Sequence, residues 1–283
     1  MTTCNYALLV SLALLCLFPM IHVLAISFSS STAASAGFVT VWPVDFTTKS
    51  YEFILAKPEF MRSIRVTVER VLLGTGINML LILITSFPLS KENKDLTFRT
   101  GYAWIFVFTI LFSGGLIPWY MTIKYAGILD TVWALVLPGA VPVFSVILML
   151  NFFRGLPKEL EESSLMDGAG YWTVLWRIYA PLSMPALATV GLFTIVSHWN
   201  AWFDGLILMN SPAHYPLASY LQKLIIGIDM NVMSFQDLED LKEVSDRTTK
   251  AAQIFVGALP VLLVYPFLQK FFVKGIVLGS VKE

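Results

Sequence analysis

Charge is scarce in this 283-residue chain: only 13% of it is Asp, Glu, Lys or Arg, about half the roughly 25% of a soluble domain. That shortage excludes an ordinary water-soluble globule and fits a chain whose main solvent is lipid. Acids and bases balance at a net charge of zero, so no basic footprint points to nucleic acid. Cysteine is nearly absent. Cys4 and Cys16, about 18 Å apart if on one helix, are too far apart for a disulfide and read as packing residues. The chain has no G-x-x-x-x-G-K-[ST] phosphate loop, and the dipeptide Gly-Lys does not occur. Energy for any transport must therefore come from another subunit or from an ion gradient. The three histidines, His22, His198 and His214, form no H-E-x-x-H, and no G-x-S-x-G is present. Zinc-protease and serine-hydrolase chemistry lose their usual signatures, and no metal site is expected.

Apolar residues are abundant, at 57% of the chain. A bilayer core takes about 20 apolar residues as helix. Six stretches qualify or nearly do: 6–26, 71–89, 101–117, 132–153, 182–208 and 251–272. Each is expected to be helical, because lipid offers no partner for a free backbone amide. Pro88, Pro138, Pro142, Pro260 and Pro266 fall within these stretches, as membrane helices tolerate. No Lys or Arg precedes the first run, and it exceeds a typical signal-peptide core, so it reads as a span. The expected fold is all-α: one polytopic domain, 1–283, with six transmembrane helices. Lys and Arg divide almost evenly between the two sets of loops, so charge alone does not orient it.

Two loops on one side are long, 27–63 and 209–250. The second is acidic, with Asp229, Asp237, Glu239, Asp240, Glu243 and Asp246. Its stretch 235–247 mixes charges at helical spacing and reads as a solvated surface helix or a docking surface for an external partner.

The loop 154–181, between spans four and five, is the most informative. Pro157 stands where a helix start welcomes proline. Glu159, Glu161 and Glu162 follow, favoured at the positive end of a helix dipole. Gly168 sits where that helix would stop, and a second short helix is expected from Tyr171 until Pro181 opens span five. Glu162 shares a face with Leu165 and Met166 by i+3 and i+4 spacing. Such a helix can enter a groove on another protein or lie as an ordinary amphipathic loop on the membrane surface.

Glu162-Ser163-Ser164, three residues, Gly168, nine residues, Ile178, one residue, then Ala180-Pro181 resembles the signature of ATP-binding-cassette (ABC) importer permeases, whose pattern is Glu-Ala-Ala, Gly, Ile and Leu-Pro at the same spacing. Serines replace both alanines, and Ala180 replaces the leucine. The stretch 182–204 with Trp199-Asn200, and the ending 272–282 with Gly275, Gly279 and Lys282, look like those of carbohydrate permeases of the smaller, maltose-permease type. Runs 112–118 and 129–135 resemble the subgroup serving oligosaccharides, alginate among them. The likeness covers nearly the whole chain. It implies a type I importer permease in a bacterial inner membrane, with both termini cytosolic. It implies a second, homologous permease, two ATPase subunits that hold the ATP and Mg, and an extracytoplasmic solute-binding protein. It also implies an ATPase-coupling role for Glu162, Ser163, Ser164, Leu165, Met166, Asp167, Gly168, Ile178 and Pro181. This chain would carry no cofactor and would not be an enzyme.

Polar groups inside a span are functional suspects by default. Span five carries His198, Trp199, Asn200, Trp202 and Asp204. Aromatic faces suit the C–H side of a sugar ring, and amides bond hydroxyls. Helical spacing would pair His198 with Trp202 on one face and Asn200 with Asp204 on another. Alternatively, Asn200 and Asp204 bridge helices and Trp202 anchors at the interface. Asn78 in span two reads more readily as interhelical glue than as a ligand, and Trp119 and Tyr120 as belt aromatics. His198 and His22 are the only basic candidates in the apolar cores, so this chain alone does not argue for a charged solute. A gradient-driven secondary transporter is the rival reading. It predicts relays of buried acids and repeated halves, whereas Asp204 is the only acid in the six stretches and no repeat shows.

Overall fold

The structure, a computed structural model, describes residues 2–92, 95–226 and 246–279. Every regular element among them is helical, as the apolar runs require. Among the described residues, two helices are long and apolar enough to cross a membrane, Cys4–Ser27 and Pro58–Ser90, and up to five spans result if each bent helix pair counts as one. Contacts group the chain into two compact units, Met1–Arg65 with Tyr215–Leu262, and Val66–His214 with Leu263–Glu283.

The first unit holds α1 (Thr2–Ser27), α2 (Ser31–Ser35), α3 (Lys49–Ala56), the first turns of α4 (Pro58–Ser90), α14 (Leu217–Ile226) and the first half of α15 (Asp246–Gly279), whose second half belongs to the second unit. Helix α1 is apolar all round, the composition of a span rather than of a soluble amphipathic helix. Most of its length is exposed, Cys4 and Cys16 included. Their expected packing role is not met within this chain, because α1 buries only its last turn. There Ala25 and Ile26 join Ala33, Ala34, Val39 and Ala251 in a small core. Ser30 caps α2 by accepting from the Ala33 N–H, and Arg247 donates to the Ala34 carbonyl at 3.1 Å at the other end. Of the acidic stretch read as helical, residues 235–245 lie outside the described residues, as do Asp229 and Lys282. Arg247 falls in α15, and Gly275 and Gly279 lie in its last turns.

The second unit contains the rest of α4, then α5 (Arg99–Leu111), α6 (Leu116–Tyr125), α7 (Val132–Val136), α8 (Val143–Arg154), α9 (Glu159–Met166), α10 (Tyr171–Val174), α11 (Ala180–Leu182), α12 (Met184–Asn200) and α13 (Phe203–Leu208). Its core joins Ile82 and Phe87 of α4, Met149 and Phe153 of α8, Val174 and Leu175, Tyr179, and Leu187 and Val190 of α12. Three expected spans differ from straight rods. The run 101–117 is α5 and α6 at 114°, broken at Gly115 with φ of +88°. The run 132–153 bends by 46° before Val143, just after Pro138 and Pro142. The run 182–208 ends as helix at Asn200 and resumes at Phe203. Helix α4, by contrast, starts thirteen residues before its apolar run, because Pro58–Arg70 is helical though rich in charge.

Candidate functional site

The loop 154–181 is built as two short helices around a sharp stop. Three glutamates, Glu159, Glu161 and Glu162, fill the first turn of α9. Pro157 stands just ahead of that turn rather than inside it. At the other end Gly168 adopts φ of +84°. The Gly168 N–H donates to Leu165 O at 3.1 Å and the Ala169 N–H to Ser164 O at 3.0 Å, the paired bonds of a Schellman cap. Residues Tyr171–Val174 restart the helix, and Leu175–Tyr179 widen into one π-helical turn, a feature frequent at functional sites. Pro181 then sits in the first turn of α11.

Two acids that are neighbours in sequence do different things. Glu161 points inward. Its Oε2 takes the Lys91 ammonium at 2.6 Å and accepts from the Tyr179 hydroxyl at 2.6 Å. Lys91 also lies 4.0 Å over the Phe87 ring and 4.4 Å over that of Tyr179, within cation–π range. Burial pushes the Lys91 ammonium below its ordinary pKa, and Glu161 opposes that shift. Phe87, Phe153 and Tyr179 pack edge to face, at 5.0–6.3 Å between centroids. Ile178 packs on the same core. Glu162 and Leu165, both exposed, line a cavity of about 470 Å³ with Arg99, Arg154 and Lys158. Ser163 and Asp167 are exposed, Ser164 is half-buried, and Met166 projects fully, 89% exposed. The loop therefore has a surface free to meet another protein and an anchor that holds it to the chain. Lys91, Glu161 and Tyr179 were not singled out in the sequence. The available signal was the i+4 spacing of Phe87 and Lys91 across the end of an apolar run.

The second constellation sits where span five breaks. Arg70, Gly74 and Asn78 recur at i, i+4 and i+8 on α4, so they share one face. Asn78 Nδ2 lies 3.3 Å from His198 Nε2, and both residues are buried. Gly74 makes room for that imidazole: a Cβ there would stand 2.5 Å from Nε2. Arg70 forms a two-pronged ion pair with Asp204, Nη1 donating to Oδ1 at 3.0 Å and Nη2 to Oδ2. Nη1 also donates to Ala201 O at 3.2 Å, so the guanidinium satisfies a carbonyl freed by the break. Arg70, Asn78, His198, Ala201 and Asp204 line a cavity of about 530 Å³.

The break also separates residues that helical spacing had paired. His198 lines the cavity with Arg70. Asn200 and Trp202 are exposed and line a second, larger cavity of about 1050 Å³. The shared face expected for His198 and Trp202 is lost because α12 ends at Asn200. Asp204 and Trp119 border both cavities, which gives Trp119 a place beyond that of a belt aromatic. Trp199 is half-buried beside His198. Arg70 was missed because it precedes the apolar run by one residue, and hydropathy cut the span there.

Nearby, Asp130 ties the turn before α7 to the exit of α13. It accepts from the Asn210 N–H at 2.9 Å and the Ser211 N–H at 3.3 Å and pairs with His214 at 3.0 Å. Partial desolvation pushes its carboxyl up, but the bonds from His214, Asn210 and Ser211 outweigh this and leave it below the usual range.

Residues 80–277 match the family described as binding-protein-dependent transport system inner membrane component. The chain belongs to this family. It is thus a transport permease of the inner-membrane class, not an enzyme. Among related permeases, the polygalacturonan/rhamnogalacturonan transport system permease protein YtcP of Bacillus subtilis (strain 168) is 37% identical over 98% of this chain and 96% of its own. Protein LplC of the same organism is 36% identical over 99% and 94%. A solved bacterial ABC transporter involved in importing the acidic polysaccharide alginate contains a chain that superposes on this permease with a TM-score of 0.89. It is 32% identical, and 96% of each chain is covered. A chain of the bacterial alginate ABC transporter in complex with an alginate pentasaccharide-bound periplasmic protein shares the fold at a TM-score of 0.54 and 19% identity, over 93% and 92%.

Proposed function

We propose that this permease forms half of the translocation path of an ABC importer for oligosaccharides, with uronic-acid chains among the candidate solutes. The supporting observation is the capped helix α9. It carries the family signature at the matching spacing, leaves Met166 in solvent, and is tied through Glu161 to Lys91 at the end of α4. A loop with one free face and one anchored face transmits displacement. Full-length identity to YtcP, together with the superposition on the alginate importer chain, supports the solute class.

In this reading a second, homologous permease completes the path. Two ATPase subunits, which hold ATP and Mg, receive one such loop each, and a solute-binding protein delivers sugar from outside. Both termini are cytosolic, because a loop that meets an ATPase must be. Glu162 pairs with a basic residue in the ATPase groove, and Leu165 and Met166 fill apolar positions. Gly168 makes the turn, with Ser163, Ser164 and Asp167 around it, while Ile178 and Pro181 set the following helix. Asn78, His198, Trp199, Asn200 and Trp202 border the solute path. Gly275, Gly279 and Lys282 belong to a tail that resembles those of carbohydrate permeases.

The test is reconstitution of the assembled complex in vesicles, with a panel of neutral and uronic-acid oligosaccharides delivered by the binding protein. Wild type is expected to hydrolyse ATP faster with one of them and to import it. Glu162→Lys and Gly168→Pro are expected to abolish that stimulation. Uptake and stimulation left intact by both substitutions in an assembled complex would sink the coupling role.

A further inference from the structure

We propose that the cavity at the break in span five is a sugar site that reads hydroxyl groups. Asp204 is its acceptor, and Arg70 is the residue that positions that acceptor. The assignment rests on the reading of the chain as a sugar permease and names the chemistry at which the solute is recognised.

Exposure decides which half of the ion pair a solute meets. The Arg70 side chain is 3% exposed and that of Asp204 is 22% exposed. The guanidinium is thus behind and the carboxylate in front. Bonding capacity points the same way. A carboxylate has about four acceptor positions. Asp204 Oδ1 takes Arg70 Nη1 and its neighbour's Gly205 N–H at 2.8 Å, and Oδ2 takes Arg70 Nη2. One position on Oδ2 remains. Deeper in the same wall, Asn78 is buried and its Oδ1 has no partner, although buried polar atoms are nearly always paired. Arg70 Nε, on the buried guanidinium behind, is likewise without a partner; the unspent capacity in front, at Asp204, is acceptor capacity. A hydroxyl can donate to it; a carboxylate cannot.

Charge gives a second argument. Arg70 and Asp204 cancel, and among the described residues no other acid or base except His198 lines the cavity. An anionic group entering it would meet Asp204 before Arg70. Trp119, in the wall shared by both cavities, supplies the flat apolar surface that suits the C–H face of a sugar ring. Backbone that breaks its helix inside a membrane protein is tolerated where it is buried or lines a cavity. The Ala201–Trp202 break borders cavities, with its Ala201 carbonyl satisfied by Arg70. The sugar's carboxylates, if it has any, are left for other surfaces of the path.

The test uses the whole reconstituted importer with two probes: a galacturonate trisaccharide, and the galactose trisaccharide made by reducing its carboxyls. Ring hydroxyls are kept between them. Asp204→Asn is expected to raise the apparent KM for both by about 10–100-fold, the range of a charge-assisted hydrogen bond. The ratio between the two probes, measured on one preparation, should stay within about 2-fold, which removes any loss of assembled protein from the comparison. A series of single-deoxy galactose trisaccharides completes a cycle: at least one should carry a penalty in wild type that disappears in Asp204→Asn. Arg70→Gln should show the same pattern, and Arg70→Lys should recover part of the wild-type KM. A loss confined to the galacturonate probe would overturn the assignment in favour of carboxylate recognition. Deoxy penalties unchanged by Asp204→Asn would overturn it in favour of a purely structural tie. A wild-type importer neither stimulated by nor importing either probe would overturn the assignment together with the reading it rests on.

Discussion

At the scale of single residues, glycines decide where two helices can meet. Gly74 and Gly76 lie two positions apart on α4, yet only one faces a neighbour. A methyl on Gly74 would stand 2.5–2.8 Å from three atoms of the His198 ring, whereas nothing lies within 4 Å of one on Gly76. Overpacking of this kind costs about 1–3 kcal/mol, and an open helical Gly→Ala gains up to about 1 kcal/mol. Gly74→Ala is therefore expected to lower the thermal midpoint of the purified complex. Gly76→Ala should leave it unchanged or raise it. Equal midpoints for the two variants would show that the imidazole does not pack on α4 as described. His198 and Asn78 were legible as polar residues in apolar runs. Their meeting was not, because it depends on Gly74, and a small residue in a sequence does not say which side chain fills its space.

At the scale of elements, the anchor of α9 separates coupling from folding. Lys91 and Glu161 are only 10% and 15% exposed. Removing one charge of such a pair leaves the other buried and uncompensated, at a cost of about 3 kcal/mol, while replacing both can be nearly neutral. Glu161→Gln alone is thus expected to destabilise the assembled complex. The double variant Lys91→Met with Glu161→Gln should recover most of the stability, yet lose most of the sugar-stimulated ATPase activity. Melting curves and ATPase assays on the same samples check both halves. Full stimulation in the double variant would show that α9 transmits through some other contact. Element boundaries were read unevenly. Apolar run 6–26 anticipates α1 closely, because composition and helix coincide there. Window 71–89 truncates α4, because Glu59, Arg62, Arg65, Glu69 and Arg70 are helical without being apolar. The Gly114-Gly115 pair was a visible turn signal inside a run that hydropathy treated as continuous. No comparable signal marks Ala201–Trp202. That break is held by Arg70, which is distant in sequence and close only in the fold.

At the scale of the whole unit, α4 connects the two sites. Arg70 stands on the wall of the cavity at the break in span five, and Lys91 follows the last turn of the same helix beside Glu161. Between them runs an uninterrupted helix of about 30 Å. A rod held at one end by a solute-facing ion pair and at the other by the loop anchor gives the sites a shared mechanical element. Coupling of this kind is a free energy that acts equally in both directions. Substitutions this far apart, with no shared partner, normally add. If α4 carries the signal, Asp204→Asn and the Lys91→Met/Glu161→Gln pair should not add. Each alone should reduce solute stimulation of the ATPase, and the combination should fall short of the product of the two effects by more than about 2-fold, because a broken rod has nothing further to lose at its other end. Stimulation factors measured for wild type, each variant and the combination, at saturating sugar and equal amounts of assembled complex, give the coupling directly. Multiplicative effects would mean that α4 is scaffold only, and that the solute reports to the ATPase through the partner permease.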